Sequence, residues 1–154
     1  MATRKILLAE NELLRKISKP VEKFDEGFSV LVDDMIETTK QNNGEGLAAP
    51  QIGVLRRVII VKDGKKYLPL VNPEIVKRSG EQLNHEGCLS IPDVFKPVKR
   101  PYKVMVLAKD RNGKDVKLIC EDVLAITLCH EIDHLNGVLF TDIAEEETEG
   151  KRRK

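Results

Sequence analysis

From Asp122 to Asn136 apolar residues recur at helical spacing, and Gly137 supplies the stop. The segment runs into "CHEIDHLNGVLF", Cys129 to Phe140. His130 and His134 stand four residues apart, so both imidazoles leave one helical face and can grip one metal ion. Glu131 lies one step round the helix, placed to reach a water on such a metal without ligating it. This is the HExxH arrangement, in which the glutamate serves as general base. Two of the chain's three histidines occupy it, on a face shared with Ile126 and Thr127. The pattern also occurs by chance as a surface pair of histidines, but as a metal site it constrains the fold, because further groups from the rest of the chain have to reach this helix.

The other elements are short. Phe28, Leu31, Val32, Met35 and Ile36 recur at i, i+3, i+4, i+7 and i+8, an amphipathic helix that ends near Lys40 and is stopped by Asn42-Asn43-Gly44. Apolar runs follow at Arg57–Lys62, Tyr67–Val71 and Glu74–Lys77, with Asp63-Gly64 as a turn between the first two. Val104–Lys109 and Val116–Cys120 flank "DRNGKD", where Asn112-Gly113 is a strong hairpin signal. Short strands between two helices predict an α+β fold. Its sheet is largely antiparallel and packed around the central HExxH-bearing helix, with an N-terminal helix beside it. At 154 residues the chain fits one domain, long enough to bury about two-thirds of its unfolded surface. That domain is expected over residues 1–141. A charged tail follows over 142–154, where Glu145, Glu146, Glu147 and Glu149 give way to Lys151–Lys154.

Composition excludes several classes. The formal charge of +1 gives no reason to expect nucleic acid as the main partner, and no specific DNA is expected. No apolar run approaches the ~20 residues of a membrane-spanning helix. The run Ile6–Ala9 stops at Glu10, too short for a signal peptide, so a cytoplasmic location is expected. Three cysteines without a CxxC argue against a disulfide framework. In a reducing compartment a cysteine that matters is more often a ligand or a nucleophile.

A catalytic metal site needs a third protein ligand and an open position for water. The metzincin solution is absent, because Gly137 is followed by Val138, Leu139 and Phe140. Glu145 to Glu149 lie in the charged tail. That leaves His85 or Cys88, both in "NHEGCLSIP". A thiolate binds zinc or iron well, although a lone cysteine is as often a small core residue. Gly87 beside Cys88 lets the backbone approach closely. Cys120 ends a strand and reads as packing, and Cys129 is turned roughly 100° from His130. Asp133 reads either as a carboxylate that orients a ligand or as a helix-surface charge.

"GEGLAAPQIG", Gly44 to Gly53, fits no regular element. Each glycine costs a helix about 1 kcal/mol and the proline about 3, and two-residue alternation is missing. Yet Leu47, Ala48, Ala49 and Ile52 are too apolar for a solvated loop.

In order along the chain, "GEGLAAPQ", "EGCLS" and "HEIDH" resemble the signature of the peptide deformylases: a GxGLAAxQ segment, then EGCLS, then HExDH on a helix. The resemblance covers most of the chain, from Ile6–Val21 to Leu135–Phe140. It implies Cys88, His130 and His134 as metal ligands and Glu131 as general acid and base. It also implies an oxyanion hole made of the Gln51 side-chain amide and the Leu89 backbone N–H. Gly46 would offer backbone hydrogen bonds to an extended peptide, with Gly44 and Glu45 beside it. That explains the bare segment, since an edge stripped of side chains lets a peptide pair with its N–H and C=O groups. Leu89, Val123, Ile126 and Thr127 are expected as walls of an apolar pocket for the methionine side chain.

The implied reaction is hydrolysis of the formyl group from the starting methionine of new chains. Glu131 would take a proton from the attacking water and return it to the leaving amine, releasing formate. Losing one oxyanion donor typically costs 10²–10³ in rate. The implied cofactor is one divalent metal, Fe(II), with Zn, Ni or Co able to substitute, and the implied partners are N-formylated nascent peptides, with no membrane. In some relatives a longer C-terminal helix docks on the ribosome. Here Glu149–Lys154 is at best a remnant, which leaves a transient ribosome contact as the expectation. Two departures stand out: Cys129 where the family often has glutamine, and Glu45 where it often has an apolar residue. Two rivals use the same helix, another HExxH metallopeptidase and a non-catalytic metal-binding module with His85 or Cys129 as a fourth ligand.

Overall fold

The structure, a computed structural model, describes residues 2–146. The basic run Lys151–Lys154 and the ribosome contact expected of it lie outside the described residues. Helix α1 spans Glu26–Gln41, and the Asp25 side chain caps its N-terminus by accepting from the Phe28 amide. It buries Phe28, Leu31, Val32 and Met35, the face its spacing predicts.

Five strands form one sheet in the order β1-β2-β3-β6-β7, every pair antiparallel. They are β1 Gly46–Ala48, β2 Val58–Asp63, β3 Lys66–Ser79, β6 Lys103–Lys109 and β7 Asp115–Glu121. Strands β4 (Gln82–Cys88) and β5 (Ile91–Arg100) pair separately as a two-stranded ribbon. Helix α2, Val123–Leu135, carries the two histidines, and a short helix α3 covers Phe140–Ile143.

Strand β2 explains how one sheet holds both helices. Ile59 and Val61 pack with Leu128, Ile132 and Leu135 of α2, while Val58 and Ile60 pack with Phe28, Leu31 and Met35 of α1. Side chains alternate across a strand, so a continuous run of Val58-Ile59-Ile60-Val61 is what burial on both faces requires. The expected α+β architecture around a central helix is therefore the observed one.

Four local differences separate the structure from the sequence reading. Tyr67–Val71 and Glu74–Lys77 are one strand, β3, because a register shift between Val71 and Glu74 absorbs Asn72 and Pro73. Asn72 is left-handed (φ 50°), and its side chain both accepts from the Val21 amide and donates to the Val21 carbonyl. The ribbon β4–β5 was not foreseen, since its strands expose polar residues such as Asn84, His85 and Lys96 and carry little alternation. Gly46–Ala48 is a short strand with all three residues buried, and Ala49–Ile52 closes it as a 3₁₀ turn. Helix α3 straddles position 141, and the Glu145 amide donates to the Pro97 carbonyl.

Candidate active site

A buried chain of charges aims the first histidine. His130 Nδ1 lies 2.9 Å from Glu86 Oε1, which leaves Nε2 facing Cys88. The Arg100 guanidinium holds both oxygens of Glu86, at 2.7 and 2.9 Å, and reaches Asp133 at 2.6 Å. Glu86 and Arg100 are each about 5% exposed. Burial raises the Glu86 carboxyl, but Arg100 and His130 outweigh it and hold it below the usual range. Asp133 thus acts on the histidines at one remove, through Arg100 and Glu86, rather than by touching His134.

Cys88, at the end of β4, brings its sulfur 3.3 Å from His134 Nε2. The ligand atoms of Cys88, His130 and His134 all lie within 4.8 Å of one another, the one such cluster among the described residues. A tetrahedral metal with sulfur at 2.3 Å and nitrogen at 2.1 Å sets them about 3.6 Å apart, so the donors fit a metal. Burial lowers the His130 pKa, but the contacts with Cys88 and Glu86 outweigh it and raise it to about 10. Burial pushes His134 well below its usual value and keeps it neutral, the form that ligates. His134 Nδ1 has no protein partner.

His85, the other sequence candidate for third ligand, is exposed and outside this cluster. Cys129 is packed in the α2 core, and burial lifts its thiol to about 11, so it offers no thiolate. Cys120 is likewise core.

Glu131 is buried beside the cluster, and its Oε1 has no protein partner. Burial raises its carboxyl to about 7. It sits directly under β1. Gln51 is 1% exposed, and its Nε2 lies 3.1 Å from Ser90 Oγ and 3.5 Å from Cys88 Sγ. Leu89 follows Cys88 at the turn between β4 and β5.

These groups floor a pocket of about 670 Å³. Gly44, Glu45, Gly46, Gln51, Cys88, Leu89, Val123, Ile126, Thr127, His130 and Glu131 all line it, and His134 alone is buried behind. The sequence reading did not single out Asn43, Asp93 and Phe95 on the same walls, nor Arg100 beneath. Phe95 is 68% exposed, and its ring covers Gly87 so closely that a Cβ there would meet it at 2.5 Å. Glu86 was signalled by its place in "EGCLS"; Arg100 had no local signal.

A family model described as polypeptide deformylase matches residues 3–149. A peptide deformylase of Caldicellulosiruptor bescii is 50% identical, covering all of this chain and 96% of that relative. A solved peptide deformylase from Legionella pneumophila superposes with a TM-score of 0.90 at 48% identity, over 99% of this chain and 90% of that one. One from Thermotoga maritima superposes with a TM-score of 0.92 at 35% identity, over 95% and 100%.

Proposed function

The chain belongs to the polypeptide deformylase family, and from that premise we propose how its residues divide the work. It is a metal-dependent hydrolase that removes the formyl group from N-formylmethionyl peptides. The observation that carries the assignment of roles is the meeting of Cys88, His130 and His134 within 4.8 Å beside a buried Glu131 whose Oε1 has no protein partner.

Cys88, His130 and His134 would hold the metal, a three-residue set of the kind catalytic rather than structural sites use. A divalent metal held there supplies Lewis acidity and a water acidified to near neutral pH. Glu131 accepts a proton at its free carboxylate oxygen and returns it to the leaving amine. Gln51 Nε2 and the Leu89 N–H donate to the formyl oxygen as negative charge grows there. Gly44, Glu45 and Gly46 present backbone to the peptide, which extends β1 as an added strand. Val123, Ile126 and Thr127 enclose the methionine side chain, and Glu45 disfavours acidic peptides by like-charge repulsion.

Fe(II) is the cellular metal in this reading, with Zn, Ni or Co able to replace it, because thiolate and imidazole donors suit all of these. Metal content after oxygen-free purification tests that point. No described helix is long and apolar enough to cross a membrane. We place the work in the cytoplasm on nascent chains, with the basic run Lys151–Lys154 as the segment suited to a polyanionic surface such as the ribosome. Residues 1–141 form the catalytic domain in this reading, and 142–154 the charged tail.

Formate release from a short formylmethionyl peptide is the decisive experiment. Loss of release in Glu131→Gln and after chelation is expected. Full release by Glu131→Gln would overturn the role given to Glu131, and full release after complete demetallation would overturn the role given to the three ligands.

A further inference from the structure

Gln51 is held at both ends of its amide. The Ala48 backbone N–H lies 2.9 Å from Oε1. A backbone amide only donates, so the oxygen has to face Ala48 and the NH₂ has to face the other way. One Nε2 hydrogen then goes to Ser90 Oγ at 3.1 Å, between two side chains each 1% exposed. The other points toward Cys88 Sγ at 3.5 Å, an ordinary separation for a sulfur acceptor, and so faces the cluster of ligand atoms. It is the hydrogen free to turn to a substrate oxygen.

The two segments are also tied to each other by the chain's N-terminal segment. The Leu7 N–H donates to the Gln51 carbonyl at 2.7 Å, and the Ala9 N–H donates to the Ser90 carbonyl at 2.9 Å. Residues 7–9 therefore bridge the 3₁₀ turn that carries Gln51 and the turn that carries Leu89 and Ser90. They fix the spacing of the two oxyanion donors.

We propose that Ser90 is a positioning residue, which by accepting one Gln51 hydrogen in a frame fastened by Leu7 and Ala9 leaves the other aimed at the reacting carbonyl. The inference rests on the reading of Gln51 as an oxyanion donor. Without Ser90 the amide keeps the Ala48 N–H at its oxygen and the Cys88 contact at its nitrogen, and the second is the contact a substrate oxygen has to replace. A donor that must find its angle during the reaction loses part of the advantage of preorganisation.

A double-mutant cycle on the metal-loaded protein tests this. Gln51→Ala is expected to lower kcat by roughly 10²–10³-fold. Ser90→Ala is expected to lower it about three- to tenfold, the range of one hydrogen bond, with KM within about twofold. Because Ser90 acts through Gln51, the double variant should match Gln51→Ala alone within about twofold. If instead the two losses multiply, Ser90 acts independently of Gln51 and the inference falls. It falls too if Ser90→Ala keeps full kcat while Gln51→Ala does not. Full activity of Gln51→Ala would overturn the reading of Gln51 itself, and this inference with it.

A second readout needs no turnover. The Gln51 side-chain NH₂ resonances, identified by their loss in Gln51→Ala, should exchange slowly with solvent in the parent protein and faster in Ser90→Ala. Unchanged exchange would count against the proposal. Should Ser90→Ala fail to fold, Ser90→Cys keeps the volume with only a weak sulfur acceptor and carries the same comparisons.

Discussion

A Cβ added to Gly46 would lie 2.8 Å from Glu131 Oε2, 2.9 Å from Glu131 Cγ and 3.0 Å from the Ile60 carbonyl oxygen. The bare edge of β1 is thus the surface against which the buried carboxylate rests. Gly46→Ala has no way to fit without moving Glu131 or the β1–β2 pairing. We expect overpacking to destabilise the protein by about 1–3 kcal/mol and to lower kcat/KM at least tenfold. Thermal unfolding and formate release measured on the same sample check both parts.

Arg100 pairs with both buried Glu86 and Asp133. Arg100→Leu would remove the guanidinium from both Glu86 oxygens and leave His130 as its remaining partner; breaking such a buried pair typically costs about 3–5 kcal/mol. Denaturant unfolding should show that loss. Restoring much of the stability by adding Glu86→Gln would identify the stranded charge as the cause.

Glu86 also fixes the ring of His130 through Nδ1. Removing a partner of this kind typically weakens a metal site by 10–100-fold. Glu86→Ala should therefore raise the metal dissociation constant by about that factor, measured by competition with a chelator of known affinity. An unchanged constant would mean that His130 is aimed by packing alone, including its stacking against Phe140.

The apolar core around α2 and α1 is built without any metal ligand. Chelation should accordingly abolish formate release while far-UV circular dichroism stays native, and re-adding Fe(II) without oxygen should restore turnover. Loss of the fold on chelation would favour a structural metal instead.

Acid sensitivity is expected at a place far from the pocket. The Ala2 amide donates to Asp34 at 3.0 Å, and that bond together with the Arg4 guanidinium lowers the Asp34 carboxyl despite its burial. A carboxylate lowered on folding stabilises the native state above its ordinary pKa, and that contribution fades as pH falls through the lowered value. Asp34→Asn should thus be less stable than the parent at pH 7 by about 1 kcal/mol or more. The gap should narrow as pH falls below the ordinary aspartate pKa and through the lowered one, as equilibrium unfolding across pH would show. A gap independent of pH would assign the effect to packing.

Local signals in the chain carried a good part of this. The spacing of Phe28 to Met35, the Asn112-Gly113 turn and the His130–His134 pair each depend on a few neighbouring residues, so α1, the β6–β7 hairpin and α2 could be read directly. The ordered motifs also named the residues that meet in the pocket. The ribbon β4–β5 escaped, because strands with polar residues on both faces leave no period in the sequence.

What the tertiary structure alone decided is which separated groups touch. Cys88 and His85 are equivalent candidates in the chain, and only the turn after β4 brings the sulfur, not the imidazole, to His134. The pairing of Arg100 with Glu86, and the bridge from residues 7–9 to Gln51 and Ser90, likewise have no local trace. Sequence periodicity encodes which face of an element is apolar. Contacts between distant segments follow from strand register and from burying β2 on both sides, which only the folded chain fixes.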